Sequence, residues 1–252
     1  MEVTLNIDLG ELPEESDELY EAANVANIAC GGHAGDAASM ERAIGLAATH
    51  GARLGAHPSY PDRENFGRVH VDIEPGLLRR SVAAQCGLLR TIADRYGRAI
   101  AFLKPHGALY HDAARDAALA GLLLDAATES LARPELVVIG PPTGALADEA
   151  RRRGLRYARE GFADRAYVRG PWMDHADRGA KQAFLEARLA PRTEPGSVFA
   201  EPRACAEQAL ALVASGVVDT ICVHGDAPGA VANARAVRAA LEKAGALARR
   251  SG

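Results

Sequence analysis

Seven short apolar runs recur along the chain, and each is followed by a loop marked by glycine or proline. Their length, five to seven residues, and their apolar character are typical of buried strands. The predicted strands are 3–8, 24–30, 53–57, 99–104, 135–140, 156–161 and 220–224. The longer stretches between them space apolar residues at three and four positions, as amphipathic helices do. The predicted helices are 36–50, 75–96, 116–131, 144–153, 202–215 and 229–245.

Strands that alternate with helices at this spacing indicate βαβ units and a parallel sheet. Seven such strands suffice to close a barrel, and 252 residues are an ordinary length for one α/β barrel. We therefore predict an α/β fold with a single (β/α)7-like barrel domain over residues 1–252. An open doubly wound sheet is the competing topology, because the pattern alone does not show closure.

One segment interrupts this rhythm between the sixth predicted strand and its helix. The stretch at about 167–192 is polar and holds the only tryptophan, Trp172. Loops of this length are usually functional lids or disordered segments. We predict a loop insertion here and favour a lid over one end of the barrel.

Polar residues two positions apart close three of the predicted strands. Residues at this spacing share a face of a strand, and the neighbours between them are apolar. The pairs are Asn6 and Asp8, Lys104 and His106, and His224 and Asp226. Helices cover the outer face of a barrel, so the pairs are expected to point into the top of its lumen, where such barrels place their active sites.

Two further histidines, His33 and His57, follow the second and third predicted strands. His33 lies in the loop GGHAGD, whose glycines let a substrate approach the backbone. We expect a ring of polar side chains in which His33 and His57 join the strand-end pairs. Local alternatives remain open, since Asp36 and Asp226 are also well placed as helix N-caps.

Composition and charge exclude several classes of function. The net charge of −4 and the absence of a basic stripe argue against nucleic-acid binding. We expect no membrane association, because the amino terminus does not resemble a signal peptide and no apolar run is long enough to cross a bilayer. The four scattered cysteines form no CxxC pair, which favours a reduced, cytoplasmic setting.

Two weaker signals concern nucleophiles and anions. Cys30 is close to His33 in the sequence, but a small buried side chain is the more ordinary interpretation of this cysteine. Arg63 and Arg68 can hold a carboxylate or lie solvated in a loop. The sequence contains no GxxxxGK[ST] phosphate loop and no GxGxxG motif, so it carries no recognisable nucleotide site.

Several motifs together resemble those of the LamB/YcsF family. They are NIDLGE, ANIACGGHAGD, GAHPSYPD with FGR, KPHGALY, FADRAY, PRTEPGSV and TICVHGDAPGAV, and they run in order over almost the whole chain. The resemblance implies a (β/α)7 barrel related to the glycoside hydrolase and deacetylase barrels. It also implies a role as the A subunit of 5-oxoprolinase, which opens the lactam of 5-oxoproline to glutamate with ATP as co-substrate and with partner subunits B and C.

Lactam hydrolysis requires a base that activates water and donors that stabilise an oxyanion. We assign Asp8 as the general base and Lys104 and His106 as stabilisers of the oxyanion and phosphate. The substrate-binding shell is assigned to Asn6, His33, His57, Glu160, Arg165, His224 and Asp226, with Glu160 facing the substrate amine and Arg165 its carboxylate. Because no phosphate loop is present, ATP binding is expected to fall to a partner protein of the complex.

Two other functions remain open. A metal-dependent amidohydrolase or carbohydrate deacetylase can use Asp8 with two histidines, His33 and His57, around a divalent metal ion. A non-catalytic protein can also use the same pocket only to bind the small lactam. Assembly into a homo-oligomer is compatible with either function.

Overall fold

The computed structural model describes residues 2–133, 135–168 and 188–250. The strands are β1 (Thr4–Leu9), β2 (Val25–Ala29), β3 (Arg53–His57), β4 (Ile100–Leu103), β5 (Val137–Gly140), β6 (Arg156–Phe162), β7 (Tyr167–Val168), β8 (Arg188–Leu189) and β9 (Thr220–His224). The helices are α1 (Asp17–Ala22), α2 (Ala37–Thr49), α3 (Pro75–Arg95), α4 (Gly107–Ala113), α5 (Ala117–Leu131), α6 (Ala145–Arg152), α7 (Pro202–Ala214) and α8 (Ala230–Lys243).

Seven parallel strands close into a barrel in the order β1-β2-β3-β4-β5-β6-β9. The first strand pairs with the last, and Asp8 lies opposite both Asn27 of β2 and His224 of β9. This closure confirms the predicted (β/α)7 barrel and excludes the open sheet. All seven predicted strands belong to it, and the six predicted helices are present.

The alternation of side chains along β1 shows how the sequence determines this arrangement. Leu5, Ile7 and Leu9 are fully buried in the layer between the strands and the helices. Asn6 and Asp8 point the other way, into the lumen, where both accept hydrogen bonds from Asn27. Because successive side chains alternate between faces, one strand fills the apolar layer and supplies the polar site.

The amino end of the lumen is filled by apolar side chains, which leaves the opposite end for chemistry. Val25, Phe102, Val137 and Ile139 form a separate buried cluster there. Arg53 covers this end, with its Cζ 4.5 Å from the centre of the Phe102 ring. The candidate catalytic groups Asp8, Lys104 and His224 therefore lie toward the carboxyl end of the barrel, as in other α/β barrels.

Two short helices were not predicted by the sequence pattern. The six-residue helix α1 begins after the N-cap Ser16, and α4 begins directly after His106, at Gly107 with a φ of +55°. Both are too short to show a full amphipathic period. Within the described residues, no helix has the combination of length and apolar character needed to cross a bilayer.

The predicted insertion at about 167–192 falls mostly outside the described residues. The described ends of this segment pair as the antiparallel strands β7 and β8, with Tyr167 opposite Leu189. Trp172 lies in the part that is not described, so the predicted lid stays a prediction.

Near the carboxyl terminus, residues 246–250 run back against the amino end of the barrel. The amide of Val3 donates to the Ala246 carbonyl, and the amide of Ala248 donates to the Val3 carbonyl. Arg250 donates to the backbone carbonyls of Glu21 and His50. The segment thereby ties together the ends of several elements around β1.

Candidate active site

Lys104 lies in the lumen at the centre of a buried polar network. Its Nζ lies 2.9 Å from each carboxylate oxygen of Asp8 and 2.8 Å from Glu160 Oε1. The same atom lies 3.2 Å from Asn6 Oδ1 and 3.1 Å from Cys222 Sγ. Lys104 is 2% exposed, so this set of acceptors replaces the water that its ammonium has lost.

Mutual electrostatics fix the charge states of Asp8 and Lys104. Burial alone would raise the pKa of Asp8, but the positive charges of His57, when protonated, and of Lys104 hold it far below its usual range. Burial alone would lower the pKa of Lys104, but the charges of Asp8, Cys222 and Glu160 raise it well above its usual value. Asp8 and Lys104 therefore form a charged pair at neutral pH.

Beside this network, four buried side chains direct ligand-type atoms to one region. They are Glu11, His33, His57 and His106, and one nitrogen or oxygen from each lies within 4.8 Å of the others. Glu11 Oε1 lies 3.0 Å from His33 Nε2, 3.2 Å from His106 Nδ1 and 3.8 Å from His57 Nε2. We call these four residues the histidine–glutamate cluster.

Backbone carbonyls fix the orientation of two of these histidines. His57 Nδ1 lies 2.7 Å from the Lys104 carbonyl, and His106 Nε2 lies 2.9 Å from the Phe66 carbonyl. A carbonyl oxygen only accepts hydrogen bonds, so each of these two nitrogens carries a proton. In a neutral imidazole ring the other nitrogen then has no proton and presents a lone pair. The two second nitrogens, His57 Nε2 and His106 Nδ1, face each other at 3.0 Å. Two lone pairs at that distance repel unless a cation or a proton lies between them.

Burial disfavours a proton on two rings of the cluster, His57 and His33. Burial lowers the pKa of His57 to about 3, against the opposing charge of Asp8. Burial also lowers the pKa of His33, against the hydrogen bond to Glu11. A metal ion between the facing nitrogens is therefore more compatible with neutral pH than a proton on His57.

The donor set fits a divalent metal. Imidazole and carboxylate ligands suit zinc and several other first-row metals, and carbonyl acceptors on the second nitrogen are the usual support of metal-binding histidines. Glu11 Oε2 and His33 Nδ1 are buried and have no hydrogen-bond partner among the described residues. Glu11 has no lysine or arginine in ion-pair contact among the described residues and faces only histidines, so a cation would balance its carboxylate.

A second group of ligand-type atoms belongs to Asp8, Cys222 and His224. Lys104 Nζ already contacts the Asp8 carboxylate and the Cys222 sulfur, and thus stands where a cation would lie. The alternative metal site predicted from the sequence combined Asp8 with His33 and His57. Asp8 Oδ2 is 3.4 Å from His57 Nε2, but the compact group around His33 and His57 is completed by Glu11 and His106.

The turn after β1 positions Glu11. Gly10 adopts a φ of +75°, which turns the chain back toward the lumen. The Glu15 carboxylate accepts from the amides of Gly10 at 2.7 Å, Glu11 at 2.8 Å and Leu12 at 3.2 Å. Glu15 is itself held by a 2.8 Å hydrogen bond from the hydroxyl of Tyr20. The loop is therefore rigid where it presents Glu11.

The loop GGHAGD presents His33, as the sequence suggested, and the chain around Gly67 covers it. A Cβ on Gly67, whose φ is +62°, would lie 2.9 Å from His33 Cβ and 3.2 Å from His106 Cδ2. The adjacent Phe66 has a φ of +54°, a strained conformation for a residue with a side chain. The rings of His33 and His106 stack beneath this loop with centroids 3.6 Å apart.

His224 forms a dyad with Asp164. The two Asp164 oxygens are each 3.0 Å from His224 Nδ1, and one also accepts from the His224 amide at 2.8 Å. Burial would raise the pKa of Asp164, but the charge and hydrogen bonds of His224 keep it below its usual value. His224 stacks on Phe162 with ring centroids 5.5 Å apart, which further restrains the imidazole.

The remaining predicted residues lie at the mouth of the barrel. Arg165 donates from Nη2 to the Ala190 carbonyl at 2.6 Å and from Nε to the Ser197 carbonyl at 3.3 Å. Asp226 forms an ion pair with Arg68. All the predicted site residues thus lie on barrel strands or in the loops that follow them, and their roles stay proposals.

Several local expectations are resolved by the structure. Asp36 caps α2 in a capping box with Ser39, as predicted. Asp226 is not an N-cap, because α8 begins after Gly229 without a side-chain cap, and the ion pair with Arg68 engages the carboxylate instead. Burial raises the pKa of Cys30 to about 12, so its thiol is protonated at neutral pH.

Three residues of the site were not predicted from the sequence: Glu11, Asp164 and Cys222. Glu11 and Asp164 lie beyond their strands, in loops whose direction a strand pattern does not predict. Cys222 was noted only as a scattered cysteine, although it lies two residues before His224 and therefore shares its face of β9. The spacing that identified the polar pairs thus indicates Cys222 as well.

Comparisons with known proteins agree with this description. The sequence profile described as the LamB/YcsF family matches residues 3–251. A protein of Streptomyces avermitilis, named as the A subunit of 5-oxoprolinase, is 39% identical over 260 aligned positions, which cover 96% of this chain and 97% of that protein. A Chloroflexus aggregans protein of the same name is 38% identical, with 99% and 98% covered.

Two solved structures share the barrel. The lactam utilization protein from Thermus thermophilus superposes with a TM-score of 0.84 at 35% identity, with both chains covered completely. A family 4 carbohydrate esterase from Streptomyces lividans has a TM-score of 0.51 at 11% identity, covering 98% of this chain and 91% of that one, which is a likeness of fold alone. From the profile and the full-length relatives, the chain belongs to the LamB/YcsF family.

Proposed function

We propose that this chain is the A subunit of an ATP-dependent 5-oxoprolinase, which opens the lactam of 5-oxoproline to glutamate together with subunits B and C. The observation that carries this proposal is its similarity, over nearly the full length of both chains, to proteins named as the A subunit of 5-oxoprolinase. The carboxyl end of the barrel holds the kinds of groups that cleavage of an amide requires, namely a carboxylate base, cationic donors and a histidine acid.

The histidine–glutamate cluster supports a bound divalent cation in this reaction. Glu11, His33, His57 and His106 would hold it, and it would polarise the lactam carbonyl or lower the pKa of a water molecule. His106, first assigned to oxyanion stabilisation, is in this proposal one of the residues that hold the cation. The backbone carbonyls of Phe66 and Lys104 keep the rings of His106 and His57 in the required tautomers.

In the proposed reaction Asp8 acts on the attacking water, and Lys104 acts on the negative charge that develops on the lactam oxygen. Asp8 accepts a proton from the attacking water, with Asn27 and Lys104 holding its carboxylate in place. Its low pKa makes Asp8 a weak base on its own, so it accepts the proton only as the water becomes more acidic in the site. Lys104 supplies positive charge for the developing oxyanion, which gains most from a donor in a buried site.

In this proposal His224 donates a proton to the departing nitrogen. Asp164 engages Nδ1, so Nε2 is the nitrogen available to substrate. One ligand-type atom of His224 and one of Asp8 lie within 4.8 Å of each other. Both residues can therefore contact the same small lactam ring. The lactam C–N bond breaks, its electrons stay on nitrogen, and the proton from His224 completes the amine of glutamate.

ATP enters as co-substrate of the complex. Its γ-phosphoryl group would transfer to the amide oxygen, leaving ADP. Water would then add to the carbonyl carbon, the C–N bond would break to leave an acyl phosphate, and a second water would hydrolyse that acyl phosphate to phosphate and the carboxylate of glutamate. The chain lacks a phosphate loop, so we assign nucleotide binding to a partner protein of the complex. Stable partner surfaces usually bury about 800 Å² on each side, and we assign this contact to the outer faces of the barrel helices.

The test is steady-state glutamate release from ATP and 5-oxoproline. We expect the purified chain alone to release little or none, and the chain with subunits B and C to release glutamate while ADP accumulates. Full activity from the chain alone would contradict the assignment of nucleotide binding to a partner protein. No activity with both partners, under conditions where a related complex is active, would contradict the proposed reaction.

The histidine–glutamate cluster also favours a second candidate, a metal-dependent amidohydrolase or deacetylase. Its facing nitrogens support metal-assisted hydrolysis that needs no ATP. The chain should then cleave an amide or an N-acetyl sugar without ATP after loading with zinc or manganese, and a chelator should abolish the activity. A strict requirement for ATP separates the two functions. A purely substrate-binding role is the remaining alternative, and loss of turnover in a site variant that still assembles would exclude it.

A further inference from the structure

Three arginines from three separate loops meet at the mouth of the barrel. Arg68 follows β3, Arg165 follows β6 and Arg192 follows β8. Arg68 pairs with Asp226, and Arg192 Nη1 lies 3.7 Å from the same Asp226 oxygen, Oδ2. Arg165 is 6% exposed, and carbonyl oxygens fix two of its guanidinium nitrogens without supplying a formal charge.

The charges of these arginines are incompletely balanced. Asp226 is the one carboxylate in ion-pair contact with any of them among the described residues. Asp164 lies near Arg165, but its oxygens are engaged by His224. Burial lowers the pKa of Arg165 to about 10, and the positive charges of Arg192 and Arg68 contribute to this shift while Asp164 opposes it. Three arginines near two carboxylates, one of which also engages His224, leave the mouth with a net positive charge.

This mouth lies next to the histidine–glutamate cluster. The Arg68 guanidinium covers the Phe66 ring, with Cζ 4.6 Å from the ring centre. The Phe66 ring in turn contacts His33 and His106, with centroids 5.3 Å and 5.7 Å apart. A small molecule bound by the arginines therefore lies one side chain away from the cluster.

Asp226 adds a second requirement on the ligand. Its Oδ2 is engaged by Arg68, but its Oδ1 is buried and has no hydrogen-bond partner among the described residues. The Asp226 side chain is 9% exposed, so an unmade hydrogen bond here is costly unless a ligand completes it. A ligand that satisfies both features carries an anionic group for the arginines and an N–H donor close to it.

We propose that Arg68, Arg165 and Arg192 form a subsite for the carboxylate of the lactam substrate, with Asp226 Oδ1 accepting the lactam N–H. The subsite rests on the proposed function, because 5-oxoproline carries its carboxylate on the carbon next to the lactam nitrogen. Arginine forks bind carboxylates through paired, charge-assisted hydrogen bonds, and their strength grows when the site is partly dehydrated. The subsite would thereby hold the lactam carbonyl toward the histidine–glutamate cluster.

The test compares the affinities of two ligands for the purified chain by isothermal titration calorimetry. 5-Oxoproline is expected to bind at least about tenfold more tightly than 2-pyrrolidinone, the same ring without the carboxylate. Arg192→Gln and Arg68→Gln should each weaken 5-oxoproline binding by about tenfold or more and leave 2-pyrrolidinone unchanged. Arg159→Gln, which removes an arginine paired with Asp219 outside the site, should change neither affinity.

The outcomes separate this subsite from the proposed reaction. Equal binding of the two lactams, no detectable binding of 5-oxoproline, or arginine variants that bind 5-oxoproline normally would overturn the subsite. Inorganic phosphate that binds more tightly than 5-oxoproline, and loses affinity in the arginine variants, would also overturn it in favour of a phosphoryl site. If carboxylate-dependent binding holds while the complex with B and C releases no glutamate, the reaction fails and the subsite stands.

Discussion

His57 and His106 face each other across 3.0 Å with nitrogens that cannot donate while their rings are neutral, because each ring has given its one N–H to a backbone carbonyl. Burial lowers the pKa of His57 to about 3, so a proton on that ring does not resolve the contact at neutral pH. A cation held between the two nitrogens would relieve the contact. Metal binding is therefore expected to stabilise the folded protein as well as to support its chemistry.

Replacing His57 with glutamine should remove the bound metal. We expect divalent metal content near one per chain in the wild type and a loss of affinity larger than the roughly 10- to 100-fold that follows removal of an outer-shell partner. Elemental analysis and zinc-dependent thermal unfolding measure this. His70→Gln is the matched control, since His70 is exposed and pairs with Asp112. Equal metal content in the two variants would argue against the cluster as a metal site.

Asp8→Asn should abolish turnover and also destabilise the fold. Loss of the base should reduce turnover of the complex by about 100-fold or more. Lys104 loses its two-oxygen partner and keeps Glu160, so the free energy of unfolding should fall by about 3 kcal/mol, as when one partner of a buried ion pair is removed. Urea unfolding and kcat per folded chain give both values. Asp148→Asn, which breaks an exposed pair with Arg151, should alter neither.

Asp164→Asn should make the free energy of unfolding less dependent on pH in the acid range. The folded-state pKa of Asp164 lies below its ordinary 3.8, so its stabilising contribution is full above about pH 4 and is lost as the pH falls through the lowered pKa. The difference in unfolding free energy between wild type and variant should therefore be largest near neutral pH and shrink as the pH falls below about 4.

Asp219→Asn provides the comparison for this variant. The pKa of Asp219 is also lowered, by Arg159 against the effect of burial, so its stability difference should shrink in acid in the same way. Turnover of the complex should fall only in Asp164→Asn, because Asp164 is the residue of this pair that orients His224. Equal turnover in the two variants would remove the dyad from the reaction.

Gly67→Ala should disturb the site more than its backbone strain alone explains. The positive φ costs roughly 1–2 kcal/mol for any residue with a Cβ, and contact with His33 and His106 adds roughly 1–3 kcal/mol of overpacking. Gly97→Ala carries only the first cost, since its φ is +61° and no atom lies within 4 Å of the added Cβ. Thermal unfolding compares the two, and metal affinity should fall only in Gly67→Ala. Equal losses of stability in the two variants would show that the Cβ added at residue 67 does not clash with His33 and His106.

The barrel was predictable because its signal is local and repeated. Asn6 and Asp8 alternate with Leu5 and Ile7. This period of two predicts a strand and also indicates which of its side chains face the lumen. His33 was likewise predictable from its position after a strand. The convergence of these ends follows from a parallel barrel, in which every strand delivers its last residues to the same edge.

The partners of these residues were less accessible to sequence reasoning. Glu11 reaches the cluster only because Gly10 reverses the chain and Glu15 holds the turn. Asp164 meets His224 across 60 positions, a contact set by packing of the loop after β6 against the end of β9 and not by any periodic pattern. Arg68 and Asp226 are 158 positions apart. Arg68 was expected to hold a carboxylate or to lie solvated in a loop, and Asp226 to bind substrate or to cap a helix, so their pairing was not predicted. The direction of a side chain in a loop is set by tertiary packing, so a local sequence pattern does not predict it.

The pairing of β1 with β9 has a consequence for synthesis of the protein on the ribosome. Thr4 and Thr220, 216 positions apart, share a side-chain hydrogen bond in the seam between these strands. Until β9 emerges from the exit tunnel, β1 has only one neighbour, and Asp8 cannot lie beside Cys222 or His224. The nascent chain must therefore keep an unfinished sheet with an open edge for most of its translation, when chaperones that shield strand edges would be most useful. The active site comes into being only with the last strand.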